Sequence, residues 1–257
     1  MTGHDHGMGM GHLIDLRPTL FEFGVCDTFV TYTANQARAL EKGFRPDLMI
    51  HQRVPNIVAA PSWRHSIASA KDARQDGSKS QQNRSASSIR TIMYPSMFHV
   101  GEQGHFVPPV PDIAQVDWQA RLISHVCRWG YEFLLKPHPS TAVQEPRFAT
   151  ELGARTITER FETVMDAADA FLFDSPSSTT FAKALSTDKP VIFIDHGRVV
   201  FTPEARAMLE KRCAIVIAWF DQDNRLQTDW DELRDAIERS RYLDDTSFFD
   251  YYFESWV

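Results

Sequence analysis

The chain has 257 residues, 43% of them hydrophobic and 24% charged, with a net charge of −7; this is the composition of one large or two small globular domains and excludes collagen-like, wholly disordered and coiled-coil chains. No run approaches the roughly 20 apolar residues that cross a bilayer, the His- and Gly-rich amino terminus lacks the basic-then-apolar order of a signal peptide, and Cys26, Cys127 and Cys213 stand apart without a CxxC pair, which argues against a disulfide framework or a cysteine zinc site. Eleven acidic and four basic residues lie from Asp221 onward, leaving 23 of each sign upstream, so a duplex nucleic-acid partner is not expected, whereas a local anion site in a cytoplasmic protein is.

In chain order, residues 1–65 mix Gly- and His-rich sequence with short apolar runs. Ser66 to Ile89 holds seven serines among charged and amide residues and carries too little apolar surface to pack, so it reads as a polar linker or insert. From Arg90 the pattern alternates between apolar runs and helical stretches. Strands are expected near Thr91–Tyr94, Tyr131–Lys136, Thr156, Ala170–Phe173, Val191–Ile194 and Ala214–Trp219, and helices over Val116–Trp129, Phe161–Ala168, Ser177–Ser186, Pro203–Arg212 and Trp230–Arg241. Continuous apolar runs such as Phe171-Leu172-Phe173 and Val191-Ile192-Phe193-Ile194 suit strands covered by helices on both faces. The expected fold class is therefore α/β, a doubly wound, mostly parallel, Rossmann-like sheet over residues 90–225, followed by an aromatic-rich helical tail over 226–257.

Ligands of such sheets sit outside the carboxyl ends of the strands, which selects three turns. In the first, Asp174 ends an apolar strand, Ser175 is placed to cap the next helix, Pro176 suits its first turn, and Ser177, Ser178 and Thr179 add hydroxyls beside free backbone N–H groups: a phosphate cradle, or merely a capped helix. In the second, Pro137 and Pro139 hold Lys136 and His138 extended, so that both side chains point one way and reach one anionic group. The third offers Asp195 for a ribose hydroxyl and Arg198 for a diphosphate. At the amino terminus, His4 or His6 beside Gly7 is a candidate base; the segment is too glycine-rich to frame a metal site, and no metal is expected. No G-x-S-x-G, Walker A or G-x-G-x-x-G pattern is present, which disfavours a serine hydrolase, a P-loop enzyme and a dinucleotide oxidoreductase.

The succession HDHG, CDTFVTYTANQARAL, IMYPSMF, YEFLLKPHP and ADAFLFDSPSSTTFAKALSTDKPVIFID resembles the carboxyl-terminal half of GT-B glycosyltransferases, in particular the CDP-glycerol glycerophosphotransferase group and similar surface-polysaccharide transferases. The resemblance puts the group's strand-ending Asp and Ser-Ser turn on Asp174, Ser177 and Ser178, its following Lys-Pro on Lys189 and Pro190, its strand-end His on His138, and its His-Gly base on His6-Gly7 or His4. It implies a nucleotide-activated sugar or polyol-phosphate transferase with a CDP- or UDP-linked donor as substrate, no separate cofactor, a carbohydrate or polyol acceptor, and work at the inner face of a membrane. It also implies that residues 1–65 are the remnant of a first GT-B domain, supplied elsewhere or by another chain. In that frame the aromatic cluster Phe248, Phe249, Tyr251, Tyr252, Phe253 and Trp256 is expected to be partly exposed and to drive self-association. The alternatives are a sugar-nucleotide epimerase of the same fold, or an inactive remnant that binds nucleotide or a partner.

Overall fold

The computed structural model describes residues 1–4, 11–14, 23–45, 47, 55–59, 88–97, 110–139, 141, 146–176 and 178–253. Near the amino terminus, β1 (Thr2–His4), β2 (Thr28–Thr31) and β3 (Asn56–Ala59) form a three-stranded parallel sheet in the order β1-β2-β3. Helix α1 (Ala34–Gly43) starts where the Thr33 side chain accepts from the Gln36 N–H, and it lays Ala37 and Leu40 on a small core with Phe23, Cys26, Phe29 and Ile57.

The larger sheet is built from β4 (Thr91–Pro95), β5 (Glu132–Lys136), β6 (Arg155–Thr156), β7 (Ala170–Phe173), β8 (Val191–Asp195), β9 (Ala214–Phe220) and β10 (Leu226–Thr228), in the spatial order β10-β9-β8-β7-β4-β5-β6. Every pairing is parallel except β10 with β9. Its first six strands, counted from β4, thus follow the 3-2-1-4-5-6 order of Rossmann-like sheets, with the reversal of winding between β4 and β7. The fold class agrees with the sequence expectation, and the five longer strands lie within one residue of their expected ends.

Connecting helices α2 (Asp112–Arg128), α3 (Arg147–Glu151), α4 (Phe161–Val164), α5 (Thr179–Leu185), α6 (Pro203–Leu209), α7 (Trp230–Arg239) and α8 (Ser247–Tyr252) divide between two cores. One contains Leu122, Ile123 and Val126 of α2 with Leu233 and Ile237 of α7; the other contains Phe161, Phe181, Leu185, Leu209 and Phe248. The central strands are buried on both faces, and each large apolar side chain so covered contributes about 1.5–3 kcal/mol. Helix α2 stops at Gly130, whose φ of +94° suits a residue without Cβ, and the Gly130 and Tyr131 N–H groups bond the Cys127 and Val126 carbonyls.

Besides α3 and the amino-terminal elements, which the sequence did not mark, and α2, which starts four residues early, three features differ from the sequence expectation. The strand β10 follows a turn held by Asn224 at φ 57°, and its three residues are too few to show a period. Helix α8 replaces the expected exposed aromatic cluster: Phe248, Phe249, Tyr252 and Phe253 are buried. They enclose the His12 ring at centroid distances of 5.5 Å, 5.4 Å and 5.4 Å for Phe248, Tyr252 and Phe253. The strip 11–14 is tied to the same place, because Ile14 N–H donates to the Val200 carbonyl at 2.7 Å and Thr202 N–H to that of His12 at 2.9 Å. Thus residues 11–14 and α8 close one core, which covers four of the six aromatic side chains of the expected cluster; Tyr251 is 38% exposed, and Trp256 lies outside the described residues. The third difference is the start of α5, which matters for the site.

Candidate functional site

The carboxyl ends of β4 and β7, on either side of the switch point, define the crevice to examine. Asp174, the first residue beyond β7, is buried. Its Oδ2 accepts from the Tyr94 hydroxyl in a short contact and from Gln115 Nε2 at 3.0 Å; that amide also lies 3.2 Å from the Tyr94 oxygen. Burial first, and the Asp174 charge second, push the Tyr94 pKa well above the ordinary phenol value, so Tyr94 stays a donor. Trp118 and His196 adjoin this cluster, their rings 5.9 Å apart. Asp174 Oδ1, Gln115 Oε1, Trp118 Nε1 and His196 Nε2 are all buried without a hydrogen-bond partner among the described residues. Each such atom costs about 1–3 kcal/mol, a cost that a fold selected for stability alone would remove by apolar substitution. The Asp174 carboxylate thus ties the end of β7 to Tyr94 of β4 and Gln115 of α2.

The turn after β7 is built differently from the sequence expectation. The cap of α5 is Ser178, whose Oγ accepts from the Phe181 N–H at 3.1 Å. Ser175 is half-buried and Pro176 buried, both ahead of the helix. Phe181, Ala182, Ala184 and Leu185 of this helix are buried. Thr179 is exposed, and Ser177 lies outside the described residues. With seven residues, α5 has under two turns of aligned peptide dipoles, so the cations at the rim matter more than the helix end.

Those cations come from β5 and α5. Lys136 ends β5, its carbonyl accepting from the Ser96 N–H at 3.0 Å across the end of β4. Burial lowers the pKa of the Lys136 ammonium, opposed by Glu162 and Glu159. His138 is lowered by burial and then by the Lys136 charge, so its imidazole is neutral near pH 7. Lys183 on α5 is lowered by burial and opposed by the same Glu162. No motif marked Lys183, which is half-buried on α5.

The remaining candidates fall elsewhere. Asp195, expected to meet a ribose, ends β8, and its carboxylate bonds the Arg206 guanidinium and, at 2.9 Å, the Gly197 N–H. Arg198 is exposed and stacks over the Phe220 ring at 5.0 Å. His4 ends β1 in register with Val30, while His6 lies outside the described residues. Lys189, placed by resemblance in the family motif, donates to the Met165 and Ala168 carbonyls at 2.8 Å and 2.7 Å and so staples the loop before β7. Among the described residues, no three His, Cys, Asp or Glu side chains converge as metal ligands do, and no helix is long and apolar enough to cross a membrane.

No family model and no curated protein matches the chain. Among solved structures, the wall teichoic acid polymerase TagF overlays 96% of this chain on 62% of its own at 14% identity and a TM-score of 0.46. A histidine-to-alanine variant of the polymerase gives 88%, 53%, 14% and 0.42 for the same quantities, and a histidine-to-asparagine variant soaked with CDPG gives 88%, 53%, 14% and 0.39. The chain thus spans less than two thirds of those polymerase chains. Overlays this weak assign no activity, and the site stands on its own geometry.

Proposed function

We propose that this chain binds the diphosphate of a nucleotide-activated sugar or polyol phosphate at the switch point, as the donor-binding half of a transferase of the GT-B type that extends a surface polymer. The observation that carries this reading is that Lys136 and His138 follow β5 while Ser175 and Ser178 follow β7, at the carboxyl ends of strands on both sides of the reversal in winding. In such a transfer, negative charge grows on the departing nucleotide, and preorganised cations and N–H donors in a partly desolvated cleft stabilise it. Lys136 and Lys183 supply the charge. The neutral His138 supplies a directed hydrogen bond to a leaving oxygen. Asp174 acts at one remove, by fixing the turn. A base for the acceptor hydroxyl comes from the amino-terminal segment, at His4 or His6. The acceptor is a carbohydrate or polyol, and the donor is CDP- or UDP-linked.

Thermal melting with CDP, UDP and GDP tests this reading directly. A ligand held only by the folded chain raises the melting temperature with concentration, so one of the three is expected to do so in the millimolar range. If none does, the reading fails. The His138→Ala variant is expected to melt like the parent without ligand and to lose most of the shift with it.

A further inference from the structure

A crevice of about 480 Å³ lies between α1, the start of α6 and α8, and its lining includes none of the residues at the switch point. Its volume is within the roughly 300–1,000 Å³ range of small-molecule sites. Arg38 and Lys42, one turn apart on α1, form one wall; Thr202 and Glu204 form another; Tyr251 and Tyr252 form the third. The ends of the chain are pinned together here, since the Thr33 hydroxyl donates to the Tyr251 carbonyl at 3.0 Å.

Neither Arg38 nor Lys42 has a carboxylate partner among the described residues. The Arg38 guanidinium bonds Asn35 through one nitrogen, which leaves donors of its five N–H groups for a ligand. A Cβ added at Gly43 would meet nothing within 4 Å, so the floor beside Lys42 is open. Two cations one helical turn apart suit a single phosphate group. Glu204 repels a second phosphate but accepts hydrogen bonds from hydroxyl groups, and the partly exposed Tyr251 ring offers an apolar face with a polar tip.

We propose that this crevice binds a phosphate monoester of a small polyol or sugar, with the phosphate on Arg38 and Lys42 and the hydroxylated carbons against Tyr251 and Glu204. The proposal does not depend on the donor reading. A ligand so placed bridges α1 to α6 and α8 and thereby stabilises the closure of the two chain ends.

The probe is glycerol 3-phosphate, titrated against the full chain by amide chemical shift and by melting temperature, beside glycerol and inorganic phosphate. Saturable shifts at Lys42, Gly43 and Tyr251 are expected, and the R38A/K42A double variant, altered only at exposed positions, is expected to bind at least about tenfold more weakly, on the scale of a lost charged hydrogen bond. Stabilisation by CDP is expected to be the same in parent and variant, which separates this site from the switch point. Failure to saturate by about 20 mM, or equal affinity in the double variant, overturns the site. Inorganic phosphate binding as tightly as the ester overturns the polyol assignment.

Discussion

Arg212 shows how far a residue's role can lie from its appearance in sequence. It is 1% exposed, and its guanidinium donates to the carbonyls of Leu185, Ala184, Thr187, Lys189 and Leu243 at 3.2, 3.3, 2.9, 2.8 and 3.3 Å. It thereby satisfies the carbonyls at the end of α5 and joins them to the tail. Arg212→Met keeps the bulk and removes the donors, so urea unfolding is expected to show a loss of about 3 kcal/mol, as several buried acceptors lose partners at once. Arg212→Lys recovers little of this, because one ammonium cannot fork among carbonyls on several sides.

Histidines set the acid response. Burial is the largest cause of a lowered pKa at His125, His138 and His196; Arg128 and Arg121 add to it at His125, Lys136 at His138, and at His196 Asp174 and Asp195 oppose it. A depressed folded-state pKa means that the unfolded chain binds more protons in the window below the ordinary histidine value of about 6.5. The stabilisation is therefore complete above that pH and lost as pH falls through the folded-state values. The melting temperature is expected to decline between about pH 6.5 and 5, and to decline less steeply in His196→Asn; an unchanged slope in that variant would place the effect elsewhere.

At the scale of elements, the strands were legible because an apolar run of four or five residues between polar turns has few other ways to bury itself. Helix ends were less legible. The stretch from Ser175 to Thr179 offers several hydroxyl caps, and the cap in the structure is Ser178. Ser178→Ala is expected to cost about 1 kcal/mol, measured by chemical denaturation, from loss of the bond to Phe181 N–H. It is also expected to weaken nucleotide binding modestly by loosening the turn after β7. Helix α8 was unreadable for another reason: an aromatic run such as Phe248 to Phe253 satisfies helical and strand patterns alike, and only its partners on α1, α6 and the 11–14 strip settle it.

For the whole molecule, the closure of the amino-terminal strip against α8 is the main tertiary event. Phe248 is fully buried beside Phe201, Tyr252 and the His12 ring. Phe248→Ala is expected to cost about 3–5 kcal/mol through the cavity it leaves, and the variant is expected to bind an apolar dye that the parent excludes. Retention of parental stability would show that the two chain ends do not form a common core.

By itself, the sequence determined an α/β chain and the positions of its main strands along it, because burial patterns are local properties. Tertiary structure alone decided that Asp174 and Asp195 pair with side chains of other elements, that Arg212 binds the end of α5, and that four rings of the aromatic tail are covered. Each of these depends on which distant group supplies the hydrogen bond, charge or apolar surface that a side chain requires. Such partners are chosen by the packing of the whole chain, which no local pattern encodes.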